Sequence, residues 1–191
     1  MKKYRTHRGF NLIEAAIVLA VVGLVVAGIW VSADTVRRQQ KMNRMVAATE
    51  QAVALLRNTV PANAAPTTAG AYATMFSVCY KTQAFGADFI QGTQLIGPWG
   101  LTVGCGMNYD GTRQYIQLDI YLPSKAECLK YTAAITANRA DRTDLYRVEI
   151  GPVGGPWTIN SSFPLSPTGT QCDGISGTIH VAPMFLFSRQ G

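Results

Sequence analysis

Residues 8–30 of this 191-residue chain read RGFNLIEAAIVLAVVGLVVAGIW, a short basic leader running into an apolar stretch that holds one carboxylate, Glu14, four residues after Phe10. A carboxylate carried into a bilayer costs a few kcal/mol, so an acid in such a run points to a function and to a partner for its charge. From Ala15 to Val31 there is no charged or strongly polar residue. With residues 10–14 ahead of it, the segment reaches ~33 Å as a helix, enough to cross a hydrocarbon core of ~30 Å.

Three readings compete for this segment. An ordinary secretory signal would end at a small-residue site such as Val26-Ala27-Gly28 and be discarded. A plain anchor would remain uncut. In the third reading the cut falls before the apolar run, which then stays on the mature chain. The Gly9-Phe10 junction followed by Leu12, Ile13 and Glu14 resembles the processing site of a type IV prepilin. That resemblance implies a prepilin peptidase cutting after Gly9 and N-methylation of Phe10. It also implies a Glu14 carboxylate that neutralises the new amine of a neighbouring subunit during filament assembly. Residues 1–9 then form a leader, 10–60 a long helix whose 10–31 portion is transmembrane, and 61–191 a globular head.

Helical periodicity continues beyond the apolar run. Met42, Met45, Thr49, Ala52, Val53, Leu56 and Val60 recur at spacings of three and four and predict one apolar face, with a stop enforced by Pro61. A helix from about residue 10 to 59 would be ~75 Å long. Its first half is apolar all round and its second half amphipathic, the handle-and-head plan of pilins. Many type IV pilins carry a proline in the second half of the apolar segment; here only Gly23 and Gly28 weaken the helix. They are expected either to loosen it in a filament or to permit close helix packing in the membrane.

The charge of +6 falls to +2 without the leader, whose Lys2, Lys3, Arg5 and Arg8 carry four of the positive charges, so net charge says little about partners. The remaining local excess is Arg37, Arg38, Lys41 and Arg44. These flank the far end of the apolar run and nearly cancel the orientation signal of the leader. They form a candidate contact for an anion, DNA or lipid phosphate, against the alternatives of subunit packing or solvent. Cys79, Cys105, Cys128 and Cys172 all lie beyond the apolar run, with no Cys-x-x-Cys pair to suggest a zinc or redox site, so two disulfides on an exported domain are expected, against the alternative of four buried reduced thiols in a cytosolic core.

Residues 61–74 are rich in Pro, Ala, Thr and Gly and read as a connector, whereas 75–91 leave helix and loop open. The Pro98-Trp99-Gly100 turn ahead of a strand is similar to one in type IVb pilins, those of thin conjugative and bundle-forming pili. Asp110-Gly111 signals a hairpin, followed by a half-buried strand with Ile116, Leu118, Ile120 and Leu122 inward. Pro123 and Ser124 introduce a short helix with Ala126, Leu129, Ala133 and Ala134 on its apolar face and Cys128 within it. Strands are expected at 145–150 and 177–187, the latter at an edge or bulged because of Pro183.

The expected architecture is α+β: a long N-terminal helix on a mainly antiparallel sheet. Four cysteines allow three pairings; the pilin resemblance implies Cys128 with Cys172 and Cys79 with Cys105.

Catalysis has no foothold, for none of the nucleophile-elbow, phosphate-loop or zinc-protease motifs is present, and no cofactor or metal is implied. His180 lies in an alternating strand, where a structural role is expected, and Arg139, Asp141, Arg142 and Asp144 read as a solvated loop. Trp99, Trp157 and Tyr109 are candidates for either an adhesive patch or the head core.

The resemblance thus implies a type IVb-like major pilin: a homo-oligomeric filament built by an inner-membrane assembly platform and contacting a host or recipient cell surface. A minor pilin or a secretion pseudopilin is the alternative, though the latter usually relies on a calcium loop where this chain has cysteines. A membrane-anchored or secreted binding module is the alternative from another class.

Overall fold

The computed structural model describes residues 11–61, 66–68, 72–137, 144–160 and 165–187. The chain divides into two compact units, residues 1–40 and 41–191, with the boundary inside the first helix. That helix, α1, spans Leu12–Thr59. Asn11 starts it: its carbonyl accepts from the Glu14 and Ala15 N–H groups at 2.9 and 3.1 Å, and its side-chain oxygen accepts from Ile13 at 3.3 Å. It stops two residues before Pro61, where the sequence required.

In the second unit α1 buries Met42, Met45, Ala48, Thr49, Ala52, Val53 and Leu56, which with Val60 includes every position of the predicted face. Each fully buried Met or Leu there contributes about 1.5–3 kcal/mol of transfer free energy. The face closes one side of a six-stranded sheet of order β1-β4-β5-β8-β6-β7, antiparallel throughout. The strands are β1 (Tyr72–Thr74), β4 (Val103–Tyr109), β5 (Gln114–Leu122), β6 (Leu145–Pro152), β7 (Thr158–Asn160) and β8 (Ile179–Leu186). A two-residue pair, β2 (Ile90–Gln91) with β3 (Gln94–Leu95), stands apart. The undecided stretch resolves into a short helix α2 (Phe76–Lys81) and a 3-10 turn at Ala87–Phe89.

Four expectations need correction. The connector is not structureless to residue 74, since β1 adds to β4 through Tyr72, Ala73 and Thr74. Strand β5 is buried beyond its predicted inward face: Tyr115, stacked on Tyr146 of β6, and Gln117, expected to face outward, are both buried, while Asp119 and Tyr121 are half-buried. Helix α3 (Lys125–Thr136) presents Cys128, Tyr131, Thr132 and Ile135 inward, while Ala126 and Ala134 are exposed. Its rotation is fixed by the Cys128–Cys172 bridge and by a 2.7 Å hydrogen bond between Tyr131 and Thr49 of α1. The Thr49 hydroxyl already donates to the Met45 carbonyl at 2.9 Å, so Tyr131 is the donor; burial raises its pKa and keeps the phenol protonated.

The fourth correction concerns Pro183, which lies in a central strand between β5 and β6. The ladder to β5 pairs Gln117 with Met184 and resumes at Ile120 with Val181, skipping the rungs beside Pro183. A proline lacks the donor such a rung needs, and the interruption accommodates it without moving the strand to an edge.

Arg57, in the last turn of α1, ties the helix to the sheet. Its guanidinium donates to the Leu186 carbonyl at 2.7 and 3.2 Å and to the Asp144 carboxylate at 2.7 Å, in a setting where both side chains are more than four-fifths buried. Arg57→Met keeps the stem and removes these charge-assisted bonds, for an expected loss of about 2 kcal/mol. A shift of the urea midpoint at constant m-value measures it.

Candidate functional site

The described part of the first unit is one helical segment whose large apolar side chains stand exposed. Leu12 is 86% exposed, and Ile17, Leu19, Val21, Leu24, Ile29, Trp30 and Val31 are exposed around the full circumference. A helix hydrophobic on every side is stable only inside lipid or protein. By length and composition α1 is able to cross a membrane. Glu14 lies in its first turn, exposed, at the helix end where the aligned peptide dipoles favour a negative charge. Gly9 and Phe10 lie outside the described residues. The backbone is helical through Gly23 and Gly28, and open space surrounds both.

The four basic residues differ in their surroundings. Arg38 pairs with Asp34 of its own helix at 2.8 Å. Arg44 pairs with Asp88 and lies over the Phe89 ring at 5.3 Å, so its charge is used within the second unit. Arg37 and Lys41 are exposed, and among the described residues neither has a hydrogen bond or ion pair. The spacing alone gave all four the same prospect; Asp34 within the helix and Asp88 outside it separated them. Of the charged loop, Asp144 is the partner of Arg57, while Arg139, Asp141 and Arg142 lie outside the described residues.

The sheet face turned away from α1 carries a polar layer that sequence reasoning did not find. Asp119 on β5 accepts from Gln117 at 2.9 Å and lies 3.1 Å from His180 Nε2 on β8. A carboxylate only accepts, so Nε2 carries the proton of that bond. His180 is 3% exposed, stacked on Tyr121 at 4.6 Å and met edge-on by Trp157 at 4.2 Å. Burial, with the nearby Asp119 charge, raises the Tyr121 pKa.

A second cluster on this face has Arg113 over Tyr146, Tyr146 stacked on Tyr115 at 4.8 Å, and Arg147 paired with Glu149 at 2.9 Å. Burial of Asp110 opposes its ionisation. Bonds from Tyr115, from the Thr112 hydroxyl and from the Thr112 and Arg113 N–H groups outweigh this and hold its carboxyl below the usual range. Alternation in YIQLDIYL put Asp119 and Gln117 on one face, but His180 is 61 residues further on and only strand pairing brings it there.

The aromatics divide. Trp99 is partly buried against the core, Tyr109 donates to the Gly111 carbonyl at 2.7 Å, and Trp157 remains 38% exposed over His180. The cysteines form Cys79–Cys105 and Cys128–Cys172, with Cα separations of 6.5 and 6.3 Å, the pairing that the resemblance implied. Among the described residues, no group of three His, Cys, Asp or Glu is placed to hold a metal ion. A scan against protein-family models finds no match to this chain, and a search of curated proteins finds none.

Proposed function

We propose that this chain is an exported subunit of a type IV pilus, of type IVb-like kind and the major subunit of its filament. One observation carries the reading: an unpartnered half-helix, apolar on every side with a single acid in its first turn, continues directly into a half-helix whose one face builds the core of a disulfide-bonded head. The apolar half requires lipid or many copies of itself, and a filament provides the second. Glu14 is the group that a neighbouring N-terminal amine neutralises. The subunit is stored in the inner membrane, cut by a prepilin peptidase and assembled by a membrane platform. On the cell surface the filament acts in adhesion, aggregation, motility or contact with a recipient cell.

N-terminal sequencing of the exported protein tests this. A chain beginning at N-methylated Phe10 is expected. An intact leader would make α1 a plain anchor for a binding module, and a start near Gly28 would make the segment an ordinary secretion signal.

A further inference from the structure

Among the exposed cations at the far end of the apolar segment, Arg37 belongs to the first unit and has no intramolecular partner among the described residues. It stands 23 residues beyond Glu14, ~34 Å along a helix, against a hydrocarbon thickness of ~30 Å. With Glu14 at one interface, the guanidinium therefore arrives among the phosphates of the opposite leaflet. Trp30 is two turns earlier on nearly the same side and 67% exposed, the place where an indole settles at a membrane interface.

Beside Arg37 a shallow open furrow runs along α1, lined by Val25, Gly28, Ser32, Ala33, Arg37 and Gln40. Its floor is apolar in effect, because the one hydroxyl there, on Ser32, donates to the Gly28 carbonyl at 3.0 Å. The furrow thus joins an uncharged trough to a planar cation and an amide, and a guanidinium matches the geometry of a phosphate diester. Arg38, one residue on, is compensated by Asp34 and adds little field.

We propose that this face of α1 holds an anionic phospholipid of the leaflet opposite Glu14, its acyl chain along the furrow and its phosphate on Arg37 beside Gln40. The contact rests on the membrane-stored subunit described above. It would fix the depth and rotation of α1 in the bilayer before assembly.

The test uses the full chain in nanodiscs of equal phosphatidylcholine and phosphatidylglycerol, released for native mass spectrometry to identify retained lipid. Phosphatidylglycerol is expected to be retained about fivefold over phosphatidylcholine. Arg37→Gln should abolish the preference, whereas Lys81→Gln, an equal charge change on α2, should preserve it. Flotation with pure phosphatidylcholine vesicles reads membrane insertion separately, and wild type and both variants should float. Equal retention of the two lipids, or an unchanged preference in Arg37→Gln, in a chain that floats overturns the proposal and leaves the membrane reading standing. Failure to float overturns both. Salt-dependent binding of duplex DNA that is lost in Arg37→Gln, without lipid preference, would assign the cation to nucleic acid and overturn the proposal.

Discussion

Glu14→Ala is expected to leave cleavage and membrane insertion intact while reducing surface filaments by about 30-fold or more. The variant removes the one carboxylate of the apolar half-helix, and insertion becomes easier without it. On the proposed pilin reading, what is lost is the partner of a neighbouring subunit's amine in a water-poor interior. Truncating one member of such a pair costs about 2–5 kcal/mol, and 1.4 kcal/mol is a tenfold change in equilibrium. Glu14→Gln, which keeps the shape, should behave like Glu14→Ala if the charge is what matters. Sheared filaments quantified against the carbonate-resistant membrane pool give the result. Normal piliation in Glu14→Ala would remove the assembly mechanism; a depleted membrane pool would place the defect in insertion.

The second large effect concerns the head. Cys128 and Cys172 are both fully buried, and their bridge closes 44 residues between α3 and the segment that precedes β8. In the chain-entropy model such a loop contributes roughly 4 kcal/mol, against total stabilities of about 5–15 kcal/mol for single domains. Cys128→Ala with Cys172→Ala is expected to lower Tm by about 8–16 °C at this domain size. The Cys79–Cys105 bridge, with 26 residues of separation, should count slightly less, roughly 3.5 kcal/mol. Thermal unfolding of the oxidised protein followed by circular dichroism compares them. A fall of only 2–3 °C for the Cys128 and Cys172 double variant would show that packing of α3 through Tyr131 and Ile135 already holds the region.

Much of the architecture was legible because its signals are local. The apolar face from Met42 to Val60 follows from spacings of three and four, and the end of α1 from Pro61. The Asp110-Gly111 turn follows from residue chemistry: Gly111 has φ +102° and the Asp110 side chain accepts from two backbone N–H groups. Misreadings arose where a distant partner overrode local pattern. The alanines of α3 suggested one face, but a bridge to Cys172 and a hydroxyl on Thr49 turned the helix to another. Pro183 suggested an edge or a bulge because a proline cannot donate, and strand pairing kept the strand central with rungs empty beside the proline.

The candidate site divides along the same line. Glu14 at the head of an uncharged run was visible at once, since a lone acid among apolar residues needs no partner to be noticed. Arg57, Asp119 and His180 were not, because each acquires its meaning from a residue 61 or more positions away. The four basic residues after the apolar run showed one charge pattern and three fates, settled by Asp34 within the helix and Asp88 outside it.

By itself, the sequence determined that this chain has a helix that must be covered by lipid or protein, a second apolar face continuous with it, and an oxidised head. These follow from composition, periodicity and cysteine count, which act over a few residues at a time. Only the tertiary structure decided which strand is central, which face of α3 is buried, which cations among the described residues remain without partners, and how the sheet covers part of its outer face. Those outcomes depend on contacts between residues far apart in the chain, where the free energy of pairing and burial exceeds the weaker preferences of each local segment.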